Sequence, residues 1–561
     1  MADGLAQREI QAFNAMEAEA SNERQVWQDI SDYVAPKKSQ ITSSKTKDIE
    51  GYSDQIYNTE AIHCNNTLAS GQMDYMVSGR FFEWQDPRGT HAPRDAKDWY
   101  KMISERALEI LQESNFYLEI HEFFKDRGAF GTCFIHCDED PDDYMFFTTQ
   151  AVGSFYIAEN AKGLVDTVRR KLSLTSRQAL DLFGRSALSP SMLKCLYSQD
   201  PGEHLKKFEV IHTMRPRSET ERNPRMIDAV NMPYASIWVS VQDEHILKES
   251  GYPEQPFCVS RFEKWGDTPY GWCPSHMILP TVRQVQNIDR DMDALGEVAA
   301  FPRTLVPKGT LGKVRLEAAG ATVYDPGSNN GAKPEEWLTG GRYDIGIDRV
   351  KRKEDMIRRE YFVDLFQMLT NMDEVRREKT AYEVSQMLQE KLTRISPTFE
   401  RIKMEVFKPI LRRVFGICYR RGLFPPPPQS VLQDRGDGVL VIPQPKINFV
   451  SKLAMAIKAM ENKTFVEWFT MLQPMLQLAG GEALMTEMNM ARIIRGSADR
   501  QGVTIDFFNT PEEKAQIEAQ MQAQKEAQMA MEAAETGSKV AGNMSKLPRE
   551  ATDQIQEQMQ G

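Results

Sequence analysis

The stretch VSQMLQEKLTRISPTFERIKMEVFKPILRRVFGI, residues 384–417, decides how this chain is read. Val384, Leu388, Leu392, Ile395, Phe399, Ile402, Val406, Ile410, Val414 and Ile417 follow one another at steps of three or four. That spacing stacks side chains along one face of an α-helix. Pro397 and Pro409 each remove an amide donor and crowd the preceding turn, so the pattern predicts one long helix, or a kinked succession, bent near both prolines. Pro425 to Pro428 then end it in a stiff, extended segment.

Working towards the N-terminus, the same periodicity returns in Ile347, Val350, Ile357, Tyr361, Leu365 and Leu369, and again in Leu279, Val282, Val285, Met292, Leu295 and Val298. Between these two helical patterns residues 301–343 break into Pro, Gly and short β pieces, Arg303–Pro307 and Ala321–Tyr324. Between the second pattern and the long helix lies the charged stretch Thr370–Lys379, with Arg376, Arg377 and Lys379. These cations have two readings: an ordinary helix connection, or a loop that touches phosphate transiently while acidic neighbours prevent tight capture.

Further out, residues 5–35 read as one amphipathic helix stopped by Pro36, followed by helices near 59–77, 95–113 and 116–128. The texture then turns to β-like runs at Thr132–Cys137, Phe146–Thr149, Phe155–Ala158, Val165–Ser173, Phe208–Met214, Ser236–Val241 and Phe257–Phe262. Beyond the long helix come short β pieces at 439–442 and 447–450, helical patterns at 453–478 and 481–495, and the helix start Thr510-Pro511-Glu512-Glu513. The tail after it lacks a wide apolar stripe, as a solvated helix or a mobile end would. The fold class is α+β, mainly helical.

With 561 residues the chain can hold about three or four units. Its 41% hydrophobic and 27% charged residues suit a soluble, globular protein. No apolar run reaches the roughly eighteen residues of a membrane span, and the N-terminus lacks a secretion signal, so assembly in a cytoplasm is expected, with no membrane partner. Seven cysteines without a C-x-x-C pair read as reduced thiols, not as a disulfide framework or a zinc site. A formal charge of −11 argues against the usual DNA-binding design, in which Lys and Arg neutralise phosphates.

Gly309-Thr-Leu-Gly-Lys313 lacks phosphate-loop spacing, and no H-E-x-x-H or Ser-His-Asp candidate stands at a recognisable spacing. Asp138, Glu139, Asp140, Asp142 and Asp143 beside His136 could hold a divalent cation or form a solvated turn between two strands. The calcium-loop glycine and the spaced bidentate glutamate are missing, which favours the turn. The sequence therefore gives no catalytic residue, no metal site and no cofactor, and points away from an enzyme.

Several segments, in order, resemble the portal or head-to-tail connector family of short-tailed phages. They are Arg24-x-x-Trp27 with Asp32-Tyr33-Val34-x-Pro36; Leu68-Ala69-Ser70-Gly71 with Trp84; Phe130-Gly131-Thr132 leading to Asp138-Glu139-Asp140; and Gly163-Leu-Val-Asp-Thr167 with Arg169-Arg170 and Thr175-x-x-Gln178. Pro269-Tyr270-Gly271 with Leu279-Pro280, Thr380-Ala381-x-Glu383-Val384 and Ser451-x-Leu453-Ala454-x-Ala456 continue the order. Trp272-Cys273 departs from the small or basic residues expected there, and the tail after about 505 has no counterpart.

The resemblance implies a portal fold assembled as a homo-oligomeric, dodecameric ring. N-terminal helices and a β-rich wing would occupy 1–276, a first stem helix 277–300, a clip 301–345 and a second stem helix 346–369. A tunnel loop at 370–380 would carry Arg376, Arg377 and Lys379 towards DNA; a long kinked helix and wing return would follow at 381–450, a crown at 451–504 and a helical or mobile tail at 505–561. It further implies passage of double-stranded DNA through the ring at one capsid vertex of the virion. Implied partners are the terminase large subunit, scaffold and major capsid protein, then tail adaptor and nozzle proteins. The channel wall, chiefly the stem helices, is expected to show more acidic than basic surface. The competing class is an internal or scaffold-like virion protein without a channel; a packaging nuclease or ATPase lacks its motifs.

Overall fold

A computed structural model describes residues 2–36, 41, 56–300 except 78, 90, 91 and 227, then 303–305, 335–337, 343–370, 395–434, 440–450, and positions 517, 519–521 and 523. The chain divides into two compact units, 1–454 and 455–561. Of the second, the described positions are helical and exposed. All elements below belong to the first.

Two helices open the chain, α1 (Ala2–Glu19) and α2 (Ser21–Tyr33). The single helix expected over 5–35 is therefore broken at Ala20, because its halves bury against different partners. Ala6 of α1 packs on Ala235, Ile237 and Val239, whereas α2 binds the later helix at 274–300 through Asp29 and Arg283, 2.6 Å apart. Helices α3 (Glu60–Met76), α4 (Arg94–Glu113) and α5 (Phe116–Phe130) follow, with strand β1 (Phe82–Gln85) between α3 and α4. In α4, Trp99, Ile103, Ala107, Ile110 and Leu111 line the buried face, as their spacing requires.

Strands β2 (Thr132–Asp140), β3 (Tyr144–Gln150) and β9 (Phe257–Arg261) make a three-stranded antiparallel sheet in the order β3-β2-β9. Strands β4 (Phe155–Glu159), β5 (Val165–Thr175), β6 (Lys207–Pro216), β7 (Tyr234–Ser240) and β8 (His245–Tyr252) form a five-stranded antiparallel sheet in chain order. β2 is buried over Thr132–Cys137, so it reads as a continuous apolar run and not as an alternation. Sequence periodicity missed β8, whose His245, Lys248 and Glu249 disguise an edge strand, and the short helices α6 (Ser176–Phe183) and α7 (Pro190–Leu196) between β5 and β6. Thr175 and Gln178 close a full capping box on α6.

The β10–β11 hairpin (Glu263–Lys264 with Gly271–Trp272) leads into α8 (Pro274–Ala300). Strands β12 (Arg303–Leu305) and β13 (Glu335–Trp337) pair antiparallel, and α9 (Tyr343–Glu360) and α10 (Val363–Thr370) return. The one helical pattern read over 347–369 is interrupted: Phe362 takes a left-handed φ of 57° while Tyr361 is buried. Residues 395–402 are helical, Lys403–Phe407 form a π-helical turn, and α11 (Lys408–Arg420) completes the long element. The bend expected at Pro409 is thus a widened turn immediately before it, which makes room for the ring and absorbs the lost donor. Residues 384–394 of the periodic stretch lie outside the described residues.

A small ladder sets the far end. β1 pairs with β14 (Lys446–Phe449), Trp84 opposite Ile447. Trp84 meets Phe82, Phe415 and Phe424 edge-on at 5.1–5.9 Å, tying the N-terminal third to α11 and to the chain that leaves it.

Candidate functional site

The described elements converge where α5 ends, β9 passes and α8 begins. Helix α5 stops because Gly131 adopts a left-handed φ of 74°. A Cβ there would stand 2.4 Å from the carbonyl oxygen of Gly271, and a Cβ on Gly271 2.3 Å from that of Gly131. Two backbones touch, and neither position has space for a side chain. Around them the Gly271 amide donates to Thr132 Oγ1 at 2.8 Å, and Phe262 N donates to Gly131 O at 2.8 Å. Ser275 Oγ lies 2.9 Å from Gly128 O and 2.8 Å from the Tyr361 hydroxyl. Cys273 Sγ lies 3.2 Å from Ala129 O and 3.0 Å from His276 Nδ1.

Arginines lock this joint to the sheets and to the long helix. Arg127, fully buried, donates to Ser260 Oγ at 3.2 Å and to the carbonyls of Arg261 and Thr398 at 3.4 and 3.2 Å, with its guanidinium 4.7 Å from the Phe262 ring centroid. Burial pulls its pKa down to about 10, so it stays charged at neutral pH. Arg261 grips Glu405 of the π-helical turn at 2.8–3.1 Å and pairs with Glu159. Burial pushes the Cys273 thiol up to about 12 and the His276 imidazolium down to about 4, which leaves both neutral and chemically quiet.

A second polar cluster joins the two sheets. Arg170 donates to His212 Nδ1 at 3.0 Å, and His212 stacks on Trp238 at 3.8 Å with Nε2 2.9 Å from Ser236 Oγ. Since Arg170 is the donor, His212 carries its proton on Nε2 and is neutral. His136 faces it edge-on at 5.9 Å, and burial first, then Arg170, holds both imidazoles well below their ordinary pKa. Alongside, Arg413 and Arg420 of α11 share Glu139 and Glu254.

The acidic cluster read from the sequence is therefore divided. Glu139 is neutralised by two arginines; Asp140 accepts the amides of Asp142 and Asp143 at 2.8 and 3.1 Å, and those turn hydrogen bonds lower its pKa. Asp138 is drawn inside, where burial raises its carboxyl. His136 points into the inter-sheet cluster. Among the described residues no three potential ligands converge on a metal position, and all seven cysteines are buried and unpaired. No described helix is long and apolar enough to cross a membrane.

Arg376, Arg377 and Lys379 lie outside the described residues, as do 380–384 and 451–456. Most of the remaining segments meet at the joint and the sheets it anchors, while Trp84 sits at the ladder of β1. Trp27 stacks edge-on to Tyr270 at 5.0 Å, Gly71 has no space for a Cβ against Phe366, and Gly131 opposes Gly271. Over residues 6–508 the chain matches the family described as bacteriophage head to tail connecting protein. The chain belongs to that family. It is 28% identical over 469 residues to the "Portal protein" of Salmonella phage epsilon15, covering 82% of this chain and 81% of that one. It is 26% identical over 440 residues to the "Probable portal protein" of Bordetella phage BPP-1, covering 77% and 76%.

A connector protein is a structural component of the phage virion at the junction of head and tail, and the joint fits that work. It holds helices and two sheets in one arrangement through buried, multiply bonded arginines. Sequence reasoning missed Arg127, Arg261 and Arg413, and singled out Arg170 only as part of a segment resembling the family. The available signal for Arg261 was a lone arginine between apolar residues in Val259-Ser-Arg-Phe262, whereas Arg127 follows Lys125 and Asp126 and carries no such mark.

Proposed function

We propose that the chain forms the dodecameric portal ring through which double-stranded DNA enters and leaves the capsid, docking the terminase large subunit during packaging and tail adaptor and nozzle proteins afterwards. In this reading α8 and α9 with α10 are the two stem helices (277–300 and 346–369), and the excursion closed by β12 and β13 is the clip (301–345). The sheets and N-terminal helices belong to the wing (1–276), which receives the long helix and its return at 381–450; a crown (451–504) and tail (505–561) follow. Arg376, Arg377 and Lys379 form the tunnel loop at 370–380. Scaffold and major capsid protein would surround the ring at assembly in the host cytoplasm.

One observation carries the reading. Helix α8 has buried residues as far as Gln286 and none from 287 to 300, and α9 buries Ile357 alone. Tyr343, Ile345 and Ile347 remain 50%, 46% and 39% exposed. A helical hairpin that leaves its own core with apolar residues uncovered is built to be completed by neighbours, and a head-to-tail interface repeated by rotation closes as a ring. The charge is divided between the helices. Asp289, Asp291, Asp293 and Glu297 outnumber Arg283 and Arg290 on the first, while Arg349, Lys351, Arg352, Lys353, Arg358 and Arg359 slightly outnumber the acids of the second. The acidic surface of the proposed channel is thus a property of the first stem helix.

Negative-stain microscopy of the purified chain tests this: rings with a central hole are expected, and monomers or filaments overturn it. In rings that form, replacing Arg376, Arg377 and Lys379 together by alanine is expected to alter DNA packaging or retention without loss of rings. Loss of rings makes the segment a structural connection instead.

A further inference from the structure

Beside the joint, the surface opens into a cleft lined by Trp265, Trp272 and His276 over the nearly buried rings of Trp27 and Tyr270, with Glu23 also in its lining. Trp272 stacks with Trp265 (centroids 5.0 Å, 25°) and with His276 (4.6 Å, 31°), while Trp265 itself is 60% exposed. Glu23 makes no ion pair among the described residues. Aromatic faces carry negative potential, and a carboxylate beside them adds charge. Such a cleft takes a guanidinium on an aliphatic stem better than it takes an anion or a bare hydrocarbon.

The same molecule presents that side chain on its other flank. Helix α8 meets α2 through Arg283, bound to Asp29 and 5.9 Å above the Tyr33 ring, and it meets α9 through Met292, which lies against Gly346. Nine residues at about 100° each put Arg283 half a turn from Met292, so α2 and α9 stand on opposite flanks of α8. On α9, Arg349, Arg352 and Arg359 are exposed and form no ion pair among the described residues. Their spacing sets them along one exposed side of the helix. The 2.8 Å contact between Ser275 Oγ and the Tyr361 hydroxyl puts the start of α8 level with the end of α9. Arg359, two residues from Tyr361, is therefore level with His276.

We infer that the Trp272 cleft of one copy receives the Arg359 guanidinium of the next, the cation lying on the aromatic rings with Glu23 as its counter-charge. The inference rests on the ring reading and names the contact that would join successive copies. Opposite flanks at equal height are what a head-to-tail contact requires. Trp and Arg are also the residue types that most often dominate such contacts.

The test uses the full chain. With Glu23→Cys and Arg359→Cys combined, a short thiol-reactive crosslinker applied to assembled rings should give a ladder of linked chains on a denaturing gel. The native thiols are buried and add little background. Rings that stay intact without a ladder overturn the inference and leave the ring reading standing, whereas an unmodified chain that makes no rings overturns both. Assembly of charge variants gives a second measurement. Arg359→Glu and Glu23→Arg should each raise the protein concentration for half-assembly by about tenfold or more, and combining them should recover much of the loss. Unchanged assembly in Arg359→Glu, or no recovery in the double variant, refutes the pairing.

Discussion

The joint around Gly131 and the hairpin of α8 and α9 meet at the start of α8 and are opposite in construction. At the joint two backbones are in contact, a buried arginine binds three partners, and Arg261 ties β9 to the π-helical turn through Glu405. Along the outer hairpin several contacts are polar and only partly buried: Asn58 bridges Asp289 and Glu354 at 2.8 and 2.9 Å, and Arg358 reaches Glu60 at 2.6 Å. One region is complete within a single copy. The other has its polar groups arranged but its apolar residues uncovered, and its order in an assembly depends on what packs against it.

That contrast is broken most severely at the glycines. Gly131→Val is expected to cost about 3 kcal/mol or more, since a β-branched residue is strained at φ 74° and its Cβ collides with a carbonyl that cannot move without displacing α8. Thermal unfolding or the soluble yield of the variant checks it; wild-type stability would mean that the joint is softer than its geometry. Next comes Glu405→Gln. It leaves Arg261, whose side chain is 3% exposed, with Glu159 as its one charged partner beside the Gly163 carbonyl and should cost about 2–3 kcal/mol in denaturant unfolding.

The helical hairpin, the strand at Arg303–Leu305 between its arms, most strands and the apolar face of the long helix from Ile395 on are legible in the sequence because each rests on local periodicity. The strand read at 321–324 lies outside the described residues, and the described partner of Arg303–Leu305 is Glu335–Trp337. The joint is not legible, because it is made of pairs far apart in the chain. Gly131 with Gly271, Ser275 with Tyr361 and Arg127 with Thr398 have no spacing to detect. The breaks at Ala20 and Phe362 escape for a related reason: the apolar pattern continues through both, while tertiary burial turns the chain. The acidic run at 138–143 is visible as composition, yet its division among buried, paired and turn-forming carboxylates depends on α11 arriving with Arg413 and Arg420.

Acid should separate the regions by a further step. His136 and His212 are buried neutral, with depressed folded pKa values. The unfolded chain therefore binds protons that the folded chain refuses, and stability present above about pH 6.5 is lost as pH falls below it. Each histidine contributes a slope of about 1.4 kcal/mol per pH unit, so moving from pH 7.5 to pH 5.5 should remove about 2–3 kcal/mol. His276, with a folded pKa of about 4, also stays neutral across this window and adds about 1 kcal/mol to the loss from the other two by the same slope. Arg170 and Arg413 oppose a further positive charge at His136, and Asp138 is the carboxylate that could soften it. Unfolding followed against pH checks the slope, and a flat profile between pH 7 and pH 5 would show that the inter-sheet cluster admits protons without opening.

The smallest effect belongs to the hairpin. Arg358→Ala removes the pair with Glu60, and Arg358 is what holds that carboxyl below its ordinary pKa. The arginine side chain is 44% exposed, so solvent screens most of the interaction and the expected loss for an isolated copy is about 0.5 kcal/mol. Glu60 also opens α3, where a negative charge near the helix N-terminus is favourable without any partner, so the carboxylate is not stranded by the substitution. A loss as large as that of Glu405→Gln, measured by the same denaturant unfolding, would mean that the hairpin is braced from within the chain, and the division between a self-sufficient joint and a partner-dependent hairpin would fail.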